Sequence, residues 1–427
     1  MTRVPGPSGP ETVRKGLSRM RGALARSGHP ERAFRTIQIA GTNGKGSTAC
    51  FLEAILRAVS GVRVGLYTSP HLLSPEERIR VDGRKISSRA LRSGFRAASR
   101  LGRPGDPLTY FETMTWVACD WFRKGGVPLA VMETGLGGRW DATTACRPLV
   151  SVITTIGVDH RDWLGNTLAE IAREKAGILR TGVPVVLGRI RPSARTVVLR
   201  RARSLGCPVW ELGKDFSWSL RRDGALTVGL PGMTIRGIRL RMDGGFQRDN
   251  AAVALAAAWR WATGAGIPQS RFLAGAAAAV SAALWPGRLC TLPGRNNRGV
   301  WVDGGHNPDA AVTLAREIAV SPPWGKGKRL IAIWSMLADK DHRGYLRALA
   351  PHLDGFVTYP LRHDRAADGM LLAQRARSAG FPCVATEEFP QAWRAARRLA
   401  GRDGVVLVCG SLATAAEAYR HRVGYLR

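Results

Sequence analysis

One glycine-rich segment, GTNGKGS at positions 41–47, constrains the fold of this chain more than any other feature. It follows the apolar run Ile37–Ala40 and precedes a helical pattern from about Thr48 to Ser60. A glycine-rich turn between a strand and a helix lets backbone N–H groups surround phosphate oxygens, and the helix N-terminus adds a positive dipole. Lys45 is placed to reach the terminal phosphates and Ser47 to approach Mg²⁺. The structural alternative is an ordinary strand-to-helix turn.

Short β-branched runs alternate with longer helical patterns on both sides of this loop. The alternation predicts an α/β fold, a P-loop-type, mostly parallel sheet wrapped by helices. The predicted strands are Thr36–Ala40, Val64–Tyr67, Leu129–Met132, Val150–Ile156 and Val183–Leu187.

The pattern changes after about residue 205 and restarts after 290. Residues 205–245 predict short strands, followed by helices at Asn250–Thr263 and Phe272–Leu284. The segment WPGR at 285–288 is typical of a linker. Further strands are predicted at Gly299–Asp303, Arg329–Trp334, Gly355–Thr358 and Val405–Cys409. We therefore predict a nucleotide domain over 1–290 and a smaller Rossmann-like α/β domain over 291–427.

The charge balance narrows the classes of partner. The chain has 427 residues with 64 Lys and Arg against 32 Asp and Glu, a net charge of +32. The basic residues are scattered and form no aromatic-interleaved motif, which favours anionic small substrates over nucleic acid. A basic, nucleotide-dependent nucleic-acid-binding protein remains the alternative of another class. No run approaches the ~20 apolar residues of a membrane span, and seven scattered cysteines without a CxxC pair favour a reducing cytoplasm.

Four polar segments fall at or just beyond predicted strand ends, where an open α/β sheet places its ligand site. They are TSPHL at 68–72, ETGLGGR at 133–139, Asp159-His160 and EKAG at 174–177. Taken singly, Ser69 could merely end a strand, and His160 could be a polar loop residue. Lys175 could be a surface lysine that compensates a helix dipole. Thr167 and Glu170 form a capping-box signature before Lys175.

Taken together, these motifs resemble one family. GTNGKGS resembles the shortened phosphate loop of the Mur-type amide ligases. The order TSPHL, ETGLGGR, DHxxxLGxT and EKAGI is similar to that of the folylpolyglutamate synthase/dihydrofolate synthase family, from about Gly16 to Ala416. A peptidoglycan-precursor Mur-type amino-acid ligase, which shares the phosphate loop, is the second enzyme hypothesis.

The resemblance implies a Mg²⁺ site formed by Ser69, Glu133 and His160. It also implies that Lys175 is N6-carboxylated and serves that site, and that Lys45, Lys175 and His160 are catalytic. The ATP-binding residues that it implies are Gly44, Lys45, Gly46, Ser47, Asn250, Arg288, Asp303 and His306. Asn250 could instead be a helix N-cap, and Asp303 a strand-to-helix cap. Pro308 suits the first turn of a helix.

The resemblance also implies a pterin site drawn from three segments. Its residues are Gly16, Leu17, Arg19, Thr109, Tyr110, Phe111, Glu112, Trp140, Asp141 and Ala142. Trp140 and Thr144 depart from the Leu and Asn of the family pattern. We expect Asp141 to hydrogen-bond a pterin ring edge, whereas Trp140 suits either stacking on a heterocycle or packing.

The implied enzyme is an ATP- and Mg²⁺-dependent ligase. It joins L-glutamate to a pteroyl or folate carboxylate through an acyl phosphate, as a dihydrofolate synthase, a folylpolyglutamate synthase or both. Its expected partners are the small molecules dihydropteroate or a reduced folate, L-glutamate and ATP. We expect a monomer without nucleic acid or membrane.

Overall fold

The computed structural model describes residues 14–294, 297–320, 322 and 324–422. The described chain separates into two compact units. The first falls within Met1–Leu240 and Arg248–Ala283, and the second within Arg241–Gln247 and Leu284–Arg427. The domain boundary at 290 stays a prediction.

A mixed eight-stranded sheet forms the centre of the first unit. Its strands are β1 (Arg35–Ala40), β2 (Val64–Tyr67), β3 (Ile79–Val81), β4 (Arg84–Lys85), β5 (Leu129–Glu133), β6 (Pro148–Ile153), β7 (Val185–Leu187) and β8 (Val209–Glu211). Their order is β4-β3-β2-β5-β1-β6-β7-β8, parallel from β2 to β8, with β3 and β4 antiparallel at one edge. The phosphate-loop strand β1 therefore lies between β5 and β6.

Helices and a small antiparallel sheet complete this unit. The helices are α1 (Ser18–Arg26), α2 (Lys45–Val59), α3 (Ser88–Ser99), α4 (Tyr110–Lys124), α5 (Arg161–Leu164), α6 (Leu168–Lys175), α7 (Pro192–Ser204), α8 (Gly245–Gly264, whose first three residues fall in the second unit) and α9 (Gln269–Ala282). The small sheet has β9 (Ser217–Leu220), β10 (Leu226–Leu230) and β11 (Met233–Ile238), with β10 in the middle.

The second unit is built on a six-stranded sheet. Its strands are β12 (Arg288–Thr291), β13 (Val300–Asp303), β14 (Leu330–Trp334), β15 (Gly355–Thr358), β16 (Cys383–Ala385) and β17 (Val405–Cys409), in the order β12-β13-β17-β14-β15-β16. All pairs are parallel except β12 with β13. The helices are α10 (Pro308–Val320), α11 (His342–Leu349), α12 (Gly369–Ser378), α13 (Phe389–Ala400) and α14 (Leu412–Arg422).

Burial explains why the central strands can be predicted from the sequence. β5, β14, β15 and β17 are buried along their whole length, and a strand covered on both faces reads as a continuous apolar run. In the first unit, α9 packs closely on α2, since a Cβ at Gly275 of α9 would lie 3.2 Å from the side chain of Val59 in α2. The predicted α/β class, with two parallel-rich sheets, is confirmed. None of the helices in the described part of the chain has both the length and the apolar character that a membrane crossing requires.

Several local predictions differ from the structure. α2 begins at Lys45 rather than Thr48, because Gly44 turns the chain with φ +84°. β6 ends at Ile153 rather than Ile156. Asn250 lies within α8, so its N-cap alternative is wrong.

Asp303 caps the turn between β13 and α10, since its Oδ1 accepts the Gly305 N–H at 2.8 Å. A different residue caps the N-terminus of α10. Asn307 serves there, with Oδ1 accepting the Ala310 N–H at 2.8 Å. Pro308 does open α10, as predicted.

Candidate active site

The phosphate loop ends at the N-terminus of α2 and carries its lysine folded back over the loop. Lys45 Nζ donates to the carbonyl oxygens of Gly41 at 3.1 Å and Thr42 at 3.3 Å. Gly44 adopts the left-handed conformation that glycine tolerates best. Ser47 is buried in the first turn. A helix of 15 residues thus presents its N-terminus beside an ammonium group, which suits a polyphosphate.

Two threonines that follow β6 hold the loop in place. Thr154 Oγ1 donates to the carbonyl oxygen of Asn43 at 2.6 Å, and Thr155 Oγ1 donates to the same atom at 3.1 Å. Thr155 Oγ1 also accepts the Asn43 N–H at 3.0 Å. A Cβ at Gly41 would lie 1.9 Å from Thr154 Oγ1, so only glycine fits there. Sequence analysis missed both threonines, although a polar pair directly after an apolar strand is a usable signal.

Asn250 lies against the same loop. A Cβ at Gly44 would be 2.4 Å from Asn250 Oδ1, and this oxygen accepts the Thr48 hydroxyl at 3.4 Å. The structure therefore brings Gly44, Lys45, Gly46, Ser47 and Asn250 together, although Asn250 is about 200 residues away in the chain.

Lys175 is buried rather than on the surface. It closes α6, and its Nζ donates to the Gly41 carbonyl at 2.8 Å. Burial and, to a smaller extent, the charge of Lys45 lower its pKa to about 7, against the opposing charges of Asp159 and Asp141. The alternative of a surface, dipole-compensating lysine is wrong, since only 3% of Lys175 is exposed.

Ser69 and Glu133 meet at the carboxyl ends of two neighbouring parallel strands. Ser69 follows β2 and Glu133 closes β5. The Ser69 N–H donates to Glu133 Oε2 at 3.1 Å, and Glu133 is buried. A buried carboxylate and a serine hydroxyl are hard oxygen donors, which fit Mg²⁺.

His160 follows β6, two strands from β5, at the start of α5. Its side chain is 43% exposed, with Nε2 3.9 Å from Asp159 Oδ2. Within residues 14–294, 297–320, 322 and 324–422, no three His, Cys, Asp or Glu side chains form a metal centre of their own. The set Ser69, Glu133 and His160 stays a prediction, and in the structure Ser69 and Glu133 lie together.

The first two pterin segments are joined by a shielded ion pair. Arg19 Nε donates to Glu112 Oε2 at 3.1 Å, and both side chains are almost buried. Glu112 also accepts the Thr109 N–H in a capping box at the start of α4. Gly16, with φ +124°, and Leu17 lead into α1 next to this pair.

The aromatic pair at the start of α4 connects to the loop after Glu133. The Phe111 ring is 5.9 Å from the Tyr67 ring and lies on Gly135, where a Cβ would be 2.6 Å from it. The Arg78 guanidinium stands 5.4 Å from the centre of the Tyr110 ring. These contacts link the Thr109–Glu112 segment to the strand ends that carry Ser69 and Glu133.

Asp141 has a structural task that the sequence did not reveal. Oδ2 accepts the N–H groups of Gly135 and Leu136, and Oδ1 accepts the N–H and hydroxyl of Thr143. These four hydrogen bonds use the acceptor sites of the Asp141 carboxylate, so donors of the surrounding loop already bind both of its oxygens. Burial raises the pKa of Asp141, and the hydrogen bonds oppose the rise. Trp140 beside it is 45% exposed, which disfavours the packing alternative, and Ala142 is buried.

A polar cleft of about 490 Å³ lies beside this loop. Four cationic side chains border it, along with acidic groups such as Glu174, which pairs with Arg139 at 3.7 Å. The four cations are Lys15, Arg139, Arg161 and Arg173. The cleft is open and suits an anionic group.

Three predicted ATP residues belong to the second unit. Asp303 closes β13, and its two oxygens accept the N–H groups of Leu289 and Gly305, at 2.9 and 2.8 Å. Burial raises the pKa of Asp303, and Arg288 opposes the rise. His306 Nδ1 lies 3.3 Å from the Gly304 carbonyl oxygen.

The loop between β1 and α2, with Lys45, Lys175 and Glu133 around it, has the features of a nucleotide-binding site. The family models show that its class is that of the Mur ligases. The model of the Mur ligase middle domain matches residues 39–258, and that of the Mur ligase glutamate ligase domain matches residues 287–412. The prediction of an ATP-dependent, amide-bond-forming ligase is confirmed.

Sequence relatives show which family of Mur ligases the chain belongs to. The chain is 35% identical over 407 residues to the dihydrofolate synthase/folylpolyglutamate synthase of Escherichia coli, covering 95% of this chain and 91% of the relative. It therefore belongs to the dihydrofolate synthase/folylpolyglutamate synthase family of Mur ligases, as the sequence motifs predicted. It spans only 48% of a Haloferax volcanii protein named as a probable bifunctional folylpolyglutamate synthase/dihydropteroate synthase, at 34% identity over 95% of this chain.

Solved structures support the same family assignment. Folylpolyglutamate synthase of Mycobacterium tuberculosis, complexed with ADP and AMPPCP, superposes with a TM-score of 0.87 at 33% identity, covering 96% of each chain. Escherichia coli FolC with DHPP and ADP gives 0.86 at 32% identity, covering 97% of this chain and 94% of that one. A bifunctional enzyme of this family with Mn, AMPPNP and L-glutamate bound gives 0.83 at 31% identity, covering 96% and 94%. ATP and a divalent metal ion are thus the cofactors of the family.

Proposed function

We propose that this chain uses ATP to join L-glutamate to the carboxylate of dihydropteroate, of a reduced folate, or of both. One observation carries the proposal: Lys45 and Lys175 converge on the loop between β1 and α2, next to the strand that ends in Glu133. The sequence motifs and the relatives that bind ADP, DHPP and glutamate support the same activity.

A carboxylate is a poor electrophile, so the pteroyl carboxylate is first phosphorylated by ATP. Lys45 and the backbone N–H groups at the start of α2 stabilise the negative charge that shifts within the triphosphate. The amine of glutamate then attacks the acyl phosphate, and phosphate leaves. Binding the reactants in one orientation supplies much of the acceleration.

The residues present fit a magnesium ion. Glu133 would supply the charged oxygen, Ser69 the hydroxyl and His160 a nitrogen ligand. When bound, the ion neutralises charge on the γ-phosphate and on the carboxylate that receives it. Glu133 is already oriented for this role by the hydrogen bond from Ser69 N–H.

Lys175 is proposed to be carboxylated at Nζ. The neutral amine attacks carbon dioxide, a proton is released, and a carbamate forms in place of the ammonium. The reaction needs an uncharged amine, and a pKa of about 7 makes half of the amine neutral near pH 7. Density around Lys175, or an added mass of one carboxylate on its peptide, tests this proposal.

The pterin is proposed to bind near the ion pair between Arg19 and Glu112, with the exposed ring of Trp140 as a stacking surface. Asp141 positions the loop instead of offering a free acceptor. Arg288, Asp303 and His306, which belong to the second unit, are proposed to bind ATP.

One assay discriminates among the hypotheses. The purified protein, with ATP, Mg²⁺ and L-glutamate, is offered dihydropteroate, a tetrahydrofolate and a UDP-muramyl peptide separately. ADP release with either pteroyl substrate is expected. ADP release only with the muramyl peptide would favour the peptidoglycan-precursor alternative.

We further propose a monomeric, cytoplasmic enzyme that binds neither nucleic acid nor membrane. Seven cysteines without a disulfide support a reducing compartment; they include Cys119 and Cys146, whose sulfur atoms lie at a hydrogen-bond distance of 3.9 Å. Titration with duplex and single-stranded DNA at two salt concentrations tests the nucleic-acid alternative. Tight, steeply salt-dependent binding would support it.

A further inference from the structure

Three polar side chains that no sequence motif identified hold the beginning of α8. Asp249 Oδ2 accepts the Arg189 Nε–H at 2.9 Å, and Asp249 Oδ1 accepts the same donor at 3.1 Å. Oδ1 also accepts the indole N–H of Trp218 at 2.7 Å. We term Arg189, Trp218 and Asp249 the Asp249 cluster.

The Asp249 cluster joins three separate segments of the first unit. Arg189 follows β7, Trp218 lies in β9 of the small antiparallel sheet, and Asp249 lies in the second turn of α8. Burial raises the pKa of Asp249, and the hydrogen bond from Trp218 and the charge of Arg189 oppose the rise. Both donors therefore stabilise the charged form of a side chain that is only 23% exposed.

Asp249 directly precedes Asn250, whose side chain packs on the phosphate loop. Asn250 Oδ1 accepts the Thr48 hydroxyl at 3.4 Å and would lie 2.4 Å from a Cβ at Gly44. Consecutive side chains of a helix point about 100° apart, so the rotation of α8 about its axis sets the direction of both. A rotation of ~10° moves a side-chain tip that lies ~5–6 Å from the axis by about 1 Å. Holding Asp249 therefore determines where Asn250 meets the loop.

A second path connects the Asp249 cluster to the same loop. Gly188, the neighbour of Arg189, lies against Thr154, since a Cβ at Gly188 would be 2.2 Å from the Thr154 carbonyl oxygen. The hydroxyl of Thr154 donates to the Asn43 carbonyl within the loop at 2.6 Å. The cluster thus fixes α8 to the strand end that also holds the phosphate loop.

We propose that Asp249 is a positioning residue for ATP. Bound by Arg189 and Trp218, it fixes the rotation of α8 and so keeps Asn250 against the phosphate loop. The inference rests on the proposed function, in which Asn250 binds ATP. The three side chains of the cluster act through Asn250 and need no contact with the nucleotide. A purely stabilising ion pair, by contrast, would change the free energy of unfolding without a selective effect on nucleotide binding.

The first comparison removes the charge of the cluster. Asp249→Asn keeps the size of the side chain and an oxygen acceptor. Glu211→Gln is the matched control, because the half-exposed Arg195 donates to Glu211 at 2.9 Å and the Glu211 side chain is only 11% exposed. This second pair lies at the end of β8, the edge strand of the eight-stranded sheet. Thermal unfolding measures the loss of stability in both variants.

The second comparison removes an indole N–H and keeps an aromatic ring. Trp218→Phe deletes the donor to Asp249 and leaves a ring for the Arg248 guanidinium, which stands 5.6 Å from the centre of the Trp218 ring. Trp259→Phe is the control, because Trp259 lies in the same helix and its indole N–H donates to the Pro231 carbonyl at 3.1 Å.

Binding is measured by calorimetric titration with AMPPNP and Mg²⁺, which requires no turnover. Asn250→Ala is expected to raise the Kd about 10-fold or more, and Asp249→Asn and Trp218→Phe about 5- to 10-fold, while both controls stay within about 2-fold of the unaltered protein. When Asn250→Ala is already present, adding Asp249→Asn should change the Kd by less than about 2-fold, because the side chain through which it acts is gone.

The outcomes separate this inference from the proposed function. If the unaltered protein fails to bind AMPPNP, or if Asn250→Ala leaves the Kd unchanged, the proposed placement of ATP is refuted and the inference with it. If Asn250→Ala weakens binding and Asp249→Asn does not, only the inference is refuted. Equal effects of Asp249→Asn with and without Asn250 would refute the route through Asn250.

Kinetics supplies a readout that a purely stabilising role would not change. In Asp249→Asn, the KM for ATP is expected to rise about 5- to 10-fold, with kcat and the KM for the pteroyl substrate within about 2-fold of the unaltered protein. Equal rises in the two KM values, or an equal rise in the KM for ATP in Glu211→Gln, would overturn the assignment of Asp249 as a positioning residue for ATP.

Discussion

Lys45 and Lys175 donate hydrogen bonds to one and the same atom, the carbonyl oxygen of Gly41, at 3.1 and 2.8 Å. Two amines that share an acceptor are close enough to repel when both are charged, and this repulsion contributes to the low pKa of Lys175. Only Lys45 then needs to carry full positive charge toward the triphosphate, which leaves Lys175 available for a different chemical role.

Replacing Lys45 by Ala is expected to abolish ADP formation, with a loss of at least about 10²–10³-fold in kcat, because the transferred charge loses its cationic partner. Lys214→Ala, at an exposed lysine that lies 3.8 Å from Glu211, is the control. Thermal unfolding should stay within a few degrees of the unaltered protein for both variants. Retained turnover in the Lys45 variant would contradict the phosphate role.

Glu133→Gln is expected to lower kcat about 10²-fold or more and to raise the Mg²⁺ concentration needed for half-maximal activity. Gln keeps an acceptor for the Ser69 N–H, so the loop should remain folded. Activity as a function of metal concentration, measured together with a urea unfolding curve, separates the two effects. An unchanged metal requirement would remove Glu133 from the proposed site.

Lys175 makes stability depend on pH in a defined direction. Its pKa is about 7 in the folded chain against 10.5 in the unfolded one, so the unfolded chain binds more protons between these values. The free energy of unfolding should therefore gain a favourable contribution as pH rises from about 7 to 10.5, and the full penalty remains below pH 7.

Lys175→Met removes this term, so the stability of the unaltered protein should rise relative to the variant by about 3 kcal/mol between pH 6 and 9.5. Urea unfolding in buffer depleted of carbon dioxide measures it, since a carbamate would change the titrating group. Parallel pH profiles for the two proteins would show that Lys175 does not titrate in this range.

Gly44→Ala should destabilise the loop twice over, through the positive φ and through the clash with Asn250 Oδ1 at 2.4 Å. Gly266→Ala is the matched control, because Gly266 has φ +69° and nothing within 4 Å of a Cβ. The control should cost about 1–2 kcal/mol and Gly44→Ala more. Adding Asn250→Ala should recover the difference in a double-mutant cycle. Additive effects of the two substitutions would mean that their side chains do not interact.

Arg19→Met should raise the KM for the pteroyl substrate about 10-fold while leaving the KM for ATP unchanged, because it frees the start of α4 from α1. Arg14→Met breaks the neighbouring exposed pair with Asp106 and should change neither constant by more than about 2-fold. Initial rates with each substrate varied in turn provide the readout. A rise in both KM values would place Arg19 outside a pterin-specific site.

The sequence predicted best what depends on short stretches of chain. The strand at Val64–Tyr67, the capping box of Thr167 with Glu170, and the helix that closes at Lys175 are all local patterns, and the structure has each of them. Burial of Lys175 was not legible, because it depends on Gly41, which lies 134 residues away. A lysine at a helix C-terminus looks the same in sequence whether it faces solvent or a loop.

Asp141 shows a different limit of prediction from the sequence. Motif resemblance singled out the residue but not its task, because hydrogen bonds to Gly135 and Leu136 depend on how the loop folds back on itself. The short strands β3, β4 and β16, at or next to the edges of their sheets, were missed for a related reason. Each has at most three residues and is partly exposed, so neither length nor an apolar run sets it apart.

The path of the chain restricts how this protein can be divided. The second unit takes in Arg241–Gln247, where Asp243 N–H donates to the Leu289 carbonyl and Gln247 Nε2 to that of Arg288, before the chain returns to the first unit for 36 residues. A cut at 290 would also pass through β12. A single cut in the chain therefore cannot separate the two units intact. Gene fusions or split versions of this enzyme should keep residues 241–291 uninterrupted.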